Sequence, residues 1–262
     1  MVALVPESDL HRGEPRIFRQ TCVFPHFITG WRARTGLDLE ALDNHHRGMD
    51  FDGTATARRA LWIGGGQWAG KSTVAVNLAL RFGLTAYLYD RHDARGHDDR
   101  RIADRIRRGE PPAGPDPETT WVRTAPTRMA AETLAGFPRR FAWVLDDLSA
   151  LVPGRRVVAE GWGLRPELVA PIVESVRQMV VLVPTAEFRA QQIARLPRAS
   201  VVVARVSDPE RALRNRWARD ELVAADSVAQ SERLGVRVVQ VDGSLDGDQL
   251  TDLVADHFAA YL

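Results

Sequence analysis

Apolar residues along this chain fall into two alternating rhythms. Short unbroken runs are followed by longer stretches in which apolar positions recur every three or four residues. The runs Ala60-Leu61-Trp62-Ile63, Leu84-Thr85-Ala86-Tyr87-Leu88-Tyr89, Arg156-Val157-Val158-Ala159-Glu160, Met179-Val180-Val181-Leu182-Val183 and Val236-Arg237-Val238-Val239-Gln240-Val241 read as five strands. Helices are expected over 70–82 (closed by Gly83), 98–108, around 129–134 leading into a longer one ending near 151, and over 166–177, 186–196 and 208–234, with a last one ending near 261. Pro111, Pro112, Pro115 and Pro117 make a stiff loop. Strands separated by helices imply parallel crossover units and a three-layer α/β domain over residues 58–262. Residues 1–57 share neither rhythm. They are rich in His, Arg and aromatics, with a helix expected to start at Thr35, and read as an N-terminal extension that contacts substrate or a partner.

The first strand runs into Gly65-Gly66-Gln67-Trp68-Ala69-Gly70-Lys71-Ser72, which fits the phosphate-binding loop G-x-x-x-x-G-K-[ST] at every defined position. Its context is the required one, between an apolar strand and a helix with apolar spacing at Val74, Leu78 and Phe82. Backbone N–H groups from Gly66 to Lys71 would surround a β-phosphate at the helix N-terminus. The Ser72 hydroxyl would hold Mg2+, and Thr73 could reach an α-phosphate. Trp68 inside the loop is unusual, and a cover over the phosphates is the most it suggests.

Composition sharpens this. Of 35 Lys+Arg residues, 34 are arginine, and the one lysine is Lys71. A compact ammonium on a thin stem reaches phosphate oxygens without filling the loop, and a planar fork does not replace it. The guanine signature N/T-K-x-D needs a second lysine, so an ordinary GTPase is excluded.

A magnesium site needs an acid at the end of a neighbouring strand. Phe141-Ala142-Trp143-Val144-Leu145-Asp146-Asp147 imitates that signature, yet its apolar residues keep helical spacing, so Asp146 and Asp147 read as a decoy. Glu160, closing the third strand before Gly161, is the better acid. Asp90 ends the second strand, with Asp93 three residues on. Either carboxylate could take a proton from an acceptor hydroxyl, and the plainer alternative is a pair of loop aspartates acting as caps or ion-pair partners. Arg211, Arg214, Arg216 and Arg219 crowd one helical stretch, so at least two can point together at a polyphosphate; a solvated face paired with Glu210, Asp220 and Glu221 is the alternative. Asp242-Gly243-Ser244 after the last strand is a weaker candidate for wrapping an adenine.

The net charge of +1 implies no bulk attraction to nucleic acid or membrane. Cys22 is the only cysteine, so no intrachain disulfide forms, and Cys22, His26, His45 and His46 match no zinc spacing. No apolar run is long enough to span a bilayer and no signal-peptide pattern opens the chain, so a cytoplasmic protein is expected.

With the phosphate loop, Glu160, the arginine helix and the Val241-Asp242-Gly243-Ser244 ending in place, residues 58–262 resemble the P-loop small-molecule kinases. That group includes shikimate, gluconate and adenylate kinase-like enzymes, chloramphenicol phosphotransferase and the tunicamycin-resistance ATP-binding proteins. The resemblance implies a three-layer P-loop fold with five parallel strands in the order 2-3-1-4-5, which sets Glu160 beside the phosphate loop. It implies ATP and Mg2+ as cofactors and transfer of the γ-phosphoryl group to a hydroxyl of a small-molecule substrate. Asp90 and Asp93 would engage that hydroxyl, and Arg216 and Arg219 would close on the phosphates from a lid helix. Two features depart from the group: the first strand begins only at residue 60, and no substrate signature stands between Asp90 and Ala135. The arginine-for-lysine bias suggests a GC-rich genome, in which an antibiotic or nucleoside-like acceptor is a sharper version of the reading. A nucleotide-dependent regulatory ATPase with a protein partner is the alternative from another class. Oligomerisation is left open.

Overall fold

Five apolar runs become five parallel strands. In the computed structural model, which describes residues 54–151, 154–196 and 205–262, they are β1 (Leu61–Gly65), β2 (Thr85–Leu88), β3 (Val157–Glu160), β4 (Met179–Pro184) and β5 (Arg237–Val241). They lie side by side in the order β2-β3-β1-β4-β5, as the resemblance implies. The expected helix at Thr35 and the Cys22, His26, His45 and His46 set lie outside the described residues.

A parallel sheet must be covered on both faces, and side chains alternate between them. On one face Leu61, Ile63, Val158, Val180 and Leu182 meet Val74, Ala75 and Leu78 of α2 (Lys71–Phe82) and Leu250, Val254 and Phe258 of the C-terminal helix (Gly247–Phe258). On the other face Trp62, Tyr87, Val157 and Ala159 meet Phe141, Val144 and Leu148 of a long helix, Pro126–Ser149. The result is the three-layer α/β fold. A short helix, α1 (Ala55–Arg59), precedes β1 and buries Ala57 in the same core, and the Gln178 amide donates to the carbonyls of Arg58 and Ala60 at 2.8 and 3.1 Å. In chain order the remaining α-helices of four residues or more among the described residues are α3 (Asp98–Arg107), α4 (the Pro126–Ser149 helix), α5 (Pro166–Val169), α6 (Ala186–Arg195), α7 (Pro209–Leu234) and α8 (the Gly247–Phe258 helix). Helix α7 packs on α4, with Val223 against Ala130 and Phe137.

Three boundaries differ from expectation. First, β2 stops at Leu88, and Tyr89–Arg91 form a helical turn that widens over His92–Gly96 before α3. Asp90 therefore sits on this turn rather than at a strand end. The turn is held by Tyr89, whose ring is buried against Gly163, where a Cβ would lie 2.4 Å from the Tyr89 hydroxyl. It is also held through Asp147 of α4, which accepts from the Tyr87 hydroxyl at 2.8 Å and meets His97 Nε2 at 2.7 Å. Second, the two expected helices between 129 and 151 are one, α4, with Pro138 inside it. A proline there loses a backbone hydrogen bond. The apolar stripe Met129, Ala130, Phe137, Phe141, Val144, Leu148 continues unbroken through it, and Arg140 donates to the carbonyls of Thr133 and Gly136 in the same turns. Third, the helix expected over 166–177 ends after four residues: Ala170 keeps helical backbone, but Pro171 has no N–H to continue the hydrogen-bond ladder.

Arg165 joins the loop after β3 to α7. It is fully buried, donates to the Val223 carbonyl at 3.0 Å and pairs with Asp226 and Glu167. Arg165→Met is expected to lower stability by about 2–3 kcal/mol, less than for a fully enclosed pair because both acids reach water. Urea denaturation midpoints check this, and Arg165→Lys should recover only part of the loss because one ammonium does not span three partners.

Candidate functional site

At the end of β1 the chain turns so tightly that side chains are excluded. Gly65 has φ +113°, and a Cβ there would lie 2.1 Å from the Leu182 carbonyl oxygen of β4. Gly70, at φ +75°, caps the start of α2. Between them Trp68 holds φ +69°, the one non-glycine with positive φ among the described residues, and its side chain is buried. A left-handed backbone costs a side-chain-bearing residue about 1–2 kcal/mol, and such strain gathers at functional sites. The buried Lys71 ammonium donates to the Gly66 carbonyl at 2.5 Å, across the mouth of the loop.

Sheet register supplies the acid. Glu160, the last residue of β3, pairs with Ile63 of β1 on one side and Leu88 of β2 on the other. That sets its carboxylate under the start of α2, where Ser72 Oγ donates to Glu160 Oε1 at 3.0 Å. Glu160 Oε2 is buried with no hydrogen-bond partner among the described residues. Burial pushes the Glu160 carboxyl up to about 7; the Lys71 ammonium opposes the shift and the neighbouring Asp90 charge adds to it. A hydroxyl and a carboxylate with an unused buried oxygen form a hard oxygen donor set, so these two residues fit Mg2+.

The loop and the turn after β2 enclose a cavity of about 400 Å³. Gln67 through Thr73 form one wall, Asp90, Asp93 and Ala94 another, and Trp162 and Arg216 complete the lining. Asp93 is clamped by two guanidiniums, Arg140 Nη1 at 3.3 Å and Arg101 Nη1 at 3.6 Å. Arg216 enters from α7.

Arg219 does not line this cavity. Its guanidinium lies between the rings of Trp121 and Trp162, 5.2 and 5.1 Å from their centroids, with Nη2 2.6 Å from Asp220 Oδ1. Two arginines three positions apart on a helix point about 60° apart, and the two indoles capture the second. Burial raises the Asp220 carboxyl above its ordinary range, opposed by Arg219 and Arg216. Of the other arginines in that stretch, Arg214 pairs with Glu210 at 3.5 Å on an exposed face.

The remaining candidates stand apart. Asp146 and Asp147 are on α4, as their spacing predicts, paired with Arg100 and with His97 and Tyr87. His92, stacked on Tyr87, lies with His97 outside the cavity. Asp242 folds back to accept from the Ser244 amide and hydroxyl at 2.9 and 2.6 Å, a local turn that does not line the cavity. Sequence reasoning missed Trp162, which sits between two glycines directly after Glu160, a spacing that offered a signal. It also missed Arg101 and Arg140, whose helices carry many arginines and so offered none.

No family model matches this chain, and no curated protein matches it. Among solved structures it is similar to a shikimate kinase from Acinetobacter baumannii in complex with shikimate, at 17% identity, over 79% of this chain and 97% of that one, with a TM-score of 0.36. So loose a superposition carries no weight for activity or acceptor. Among the described residues, no helix is long and apolar enough to cross a membrane.

The Glu160 shift gives a signed expectation. An acid whose folded pKa lies above its unfolded value, here about 7 against 4.5, costs stability increasingly as pH rises through that window and no further above it. Glu160→Gln should therefore raise the melting temperature more at pH 8 than at pH 5 in metal-free buffer. Equal shifts at the two pH values would show that Glu160 titrates normally.

Proposed function

We propose that this chain is an ATP- and Mg2+-dependent phosphotransferase that moves the γ-phosphoryl group of ATP to a hydroxyl of a small molecule. The observation that carries the reading is the single cavity in which the phosphate loop, Lys71, Ser72, Asp90, Asp93 and Arg216 come together. Phosphoryl transfer needs positioning and charge stabilisation more than covalent participation by the protein. These residues supply both.

Backbone amides of residues 66–71 and the Lys71 ammonium would hold the β- and γ-phosphates at the start of α2, and Thr73, which lines the same cavity, would reach the α-phosphate. Ser72 and Glu160 would hold Mg2+, which when bound neutralises charge on the β- and γ-phosphates. Asp90 faces the loop across the cavity and accepts the acceptor's hydroxyl proton. The acceptor oxygen forms a bond to the γ-phosphorus as the bond from that phosphorus to the β–γ bridging oxygen breaks; ADP leaves with the electron pair. Asp93, clamped by Arg140 and Arg101, is better suited to orient the acceptor than to take a proton. Arg216 lies where it can meet negative charge spreading on the transferred group. Trp68 and Trp162 add indole surface that excludes water. An antibiotic or nucleoside-like acceptor is the narrower form of the proposal and rests on the arginine bias alone. A nucleic-acid partner is not part of it, given the balanced charge.

The test is mass spectrometry of the purified protein with ATP, Mg2+ and pooled hydroxylated metabolites. A product heavier by about 80 Da, the increment of phosphoryl transfer, is expected with the natural chain and absent with Lys71→Ala. Turnover retained in that variant would overturn the assignment of the loop. Asp90→Asn is expected to lower kcat by about 100-fold or more while leaving ATP affinity within a few-fold. An unchanged kcat would remove Asp90 as the proton acceptor.

A further inference from the structure

Three metal-ligating side chains meet beside the turn that follows β2, outside the phosphate-loop cavity. His92, His97 and Asp147 each offer one ligand atom, and these atoms lie within 4.8 Å of one another. The backbone brings the two histidines together. His92–Gly96 is a widened helical turn, and the His97 amide donates to the His92 carbonyl five residues back at 2.8 Å. In an ordinary helix, residues five apart point about 140° away from each other. The wider i→i+5 turn brings them toward one side, and the two rings stand 6.1 Å apart. Asp147 reaches the pair from α4.

Asp147 is crowded. Its Oδ2 accepts from the Tyr87 hydroxyl at 2.8 Å and lies 2.7 Å from His97 Nε2 and 3.4 Å from His92 Nδ1. A carboxylate oxygen has about two acceptor sites. Tyr87 and His97 fill them, and His92 Nδ1 is left beyond good hydrogen-bonding distance. Two ligands on a tetrahedral zinc stand about 3.3 Å apart. His92 and Asp147 are thus already spaced for one ion, and His97 needs to withdraw from Asp147 by only about 0.6 Å. His97 Nδ1 is buried without a hydrogen-bond partner among the described residues, so it can hold the ring proton once Nε2 turns to a cation. Arg100 approaches the other oxygen of Asp147, Oδ1, at 3.6 Å and is shared with Asp146 at 3.1 Å, which leaves Oδ2 to the imidazoles. His92 is partly exposed and gives an ion a way in from solvent.

We propose that His92, His97 and Asp147 form a site for a borderline divalent cation, Zn2+ above all, distinct from the Ser72 and Glu160 pair. Two imidazoles and a carboxylate suit zinc, whereas Mg2+ prefers oxygen ligands. Three protein ligands leave a fourth position to water. His92 directly precedes Asp93, and Asp90 and Asp93 line the phosphate-loop cavity, so the bound ion fastens the turn that presents both. The proposal does not depend on the phosphotransferase reading.

The test is calorimetric titration of Zn2+ into the full chain, free of any histidine tag, in excess Mg2+ and without nucleotide. One equivalent is expected to bind and to raise the melting temperature. His92→Ala should weaken that binding by at least the roughly 10–100-fold that even an outer-shell partner costs, and should abolish the thermal shift. Its side chain is partly exposed, so this variant is expected to fold, with circular dichroism as the check. Asp147→Asn is the second variant and should weaken binding likewise. Glu160→Gln should leave Zn2+ affinity unchanged within twofold. No Zn2+ binding at micromolar concentration would overturn the site. So would binding that survives both His92→Ala and Asp147→Asn, or that is lost in Glu160→Gln or on replacing His45 and His46 instead.

Discussion

The pairing of β3 between β1 and β2 is the constraint on which the rest of the site depends. Glu160 ends β3 level with Ile63 on one side and Leu88 on the other. A slip of one residue would turn its carboxylate to the opposite face of the sheet and bring Ala159 to the loop instead. The register is strongly specified because both faces of β3 are buried, with Val158 against α2 and α8 and Val157 and Ala159 against α4. An apolar core thus positions a buried acid whose ionisation it opposes. Ser72 and Lys71 stand against that opposition, since the one donates to the carboxylate and the other shifts it downward.

The turn after β2 is the second fixed point, and its support comes from far along the chain. Tyr89 needs the space left by Gly163, and the preceding Tyr87 is tied to Asp147 on α4, as is His97 beyond the turn. Asp90 and Asp93 are therefore presented by a braced turn of a kind able to hold a reacting group in place. Asp93 does more than face the cavity: its two arginine partners belong to α3 and α4, so one carboxylate joins both helices to the phosphate-loop side.

Most of the fold was legible because its signal is local. Each strand is a short apolar run, and the phosphate loop carries its glycines and lysine in one octapeptide. Glu160 could be preferred over Asp146 because helical spacing around the aspartates is itself a local pattern, and α4 bears this out. Errors arose where tertiary packing overrode local preference. Pro138 lies inside a helix because the buried stripe of α4 continues past it, and Asp90 leaves the strand because Tyr89 has a pocket between distant glycines. Arg219 shows the same limit. Its spacing allows it to face the phosphate-loop cavity with Arg216, but Trp121 and Trp162, far away in sequence, hold its guanidinium elsewhere.

The lone lysine takes its meaning from that contrast. Where this chain builds ion pairs it uses forks: Arg101 and Arg140 on Asp93, Arg108 and Arg139 on Asp104, Arg165 on Asp226 and Glu167. A fork suits a carboxylate because both are planar, and it is broad enough to fill the space it occupies. The phosphate loop allows no such bulk. Its backbone is already so close to β4 that Gly65 admits no Cβ, and the buried cation must reach back to the Gly66 carbonyl from the first turn of α2. A guanidinium is broader than the ammonium that reaches the Gly66 carbonyl from residue 71, and on the proposed reading the slimmer group leaves room for a phosphate. The composition that drove arginine into every other cationic position met its steric limit in this loop.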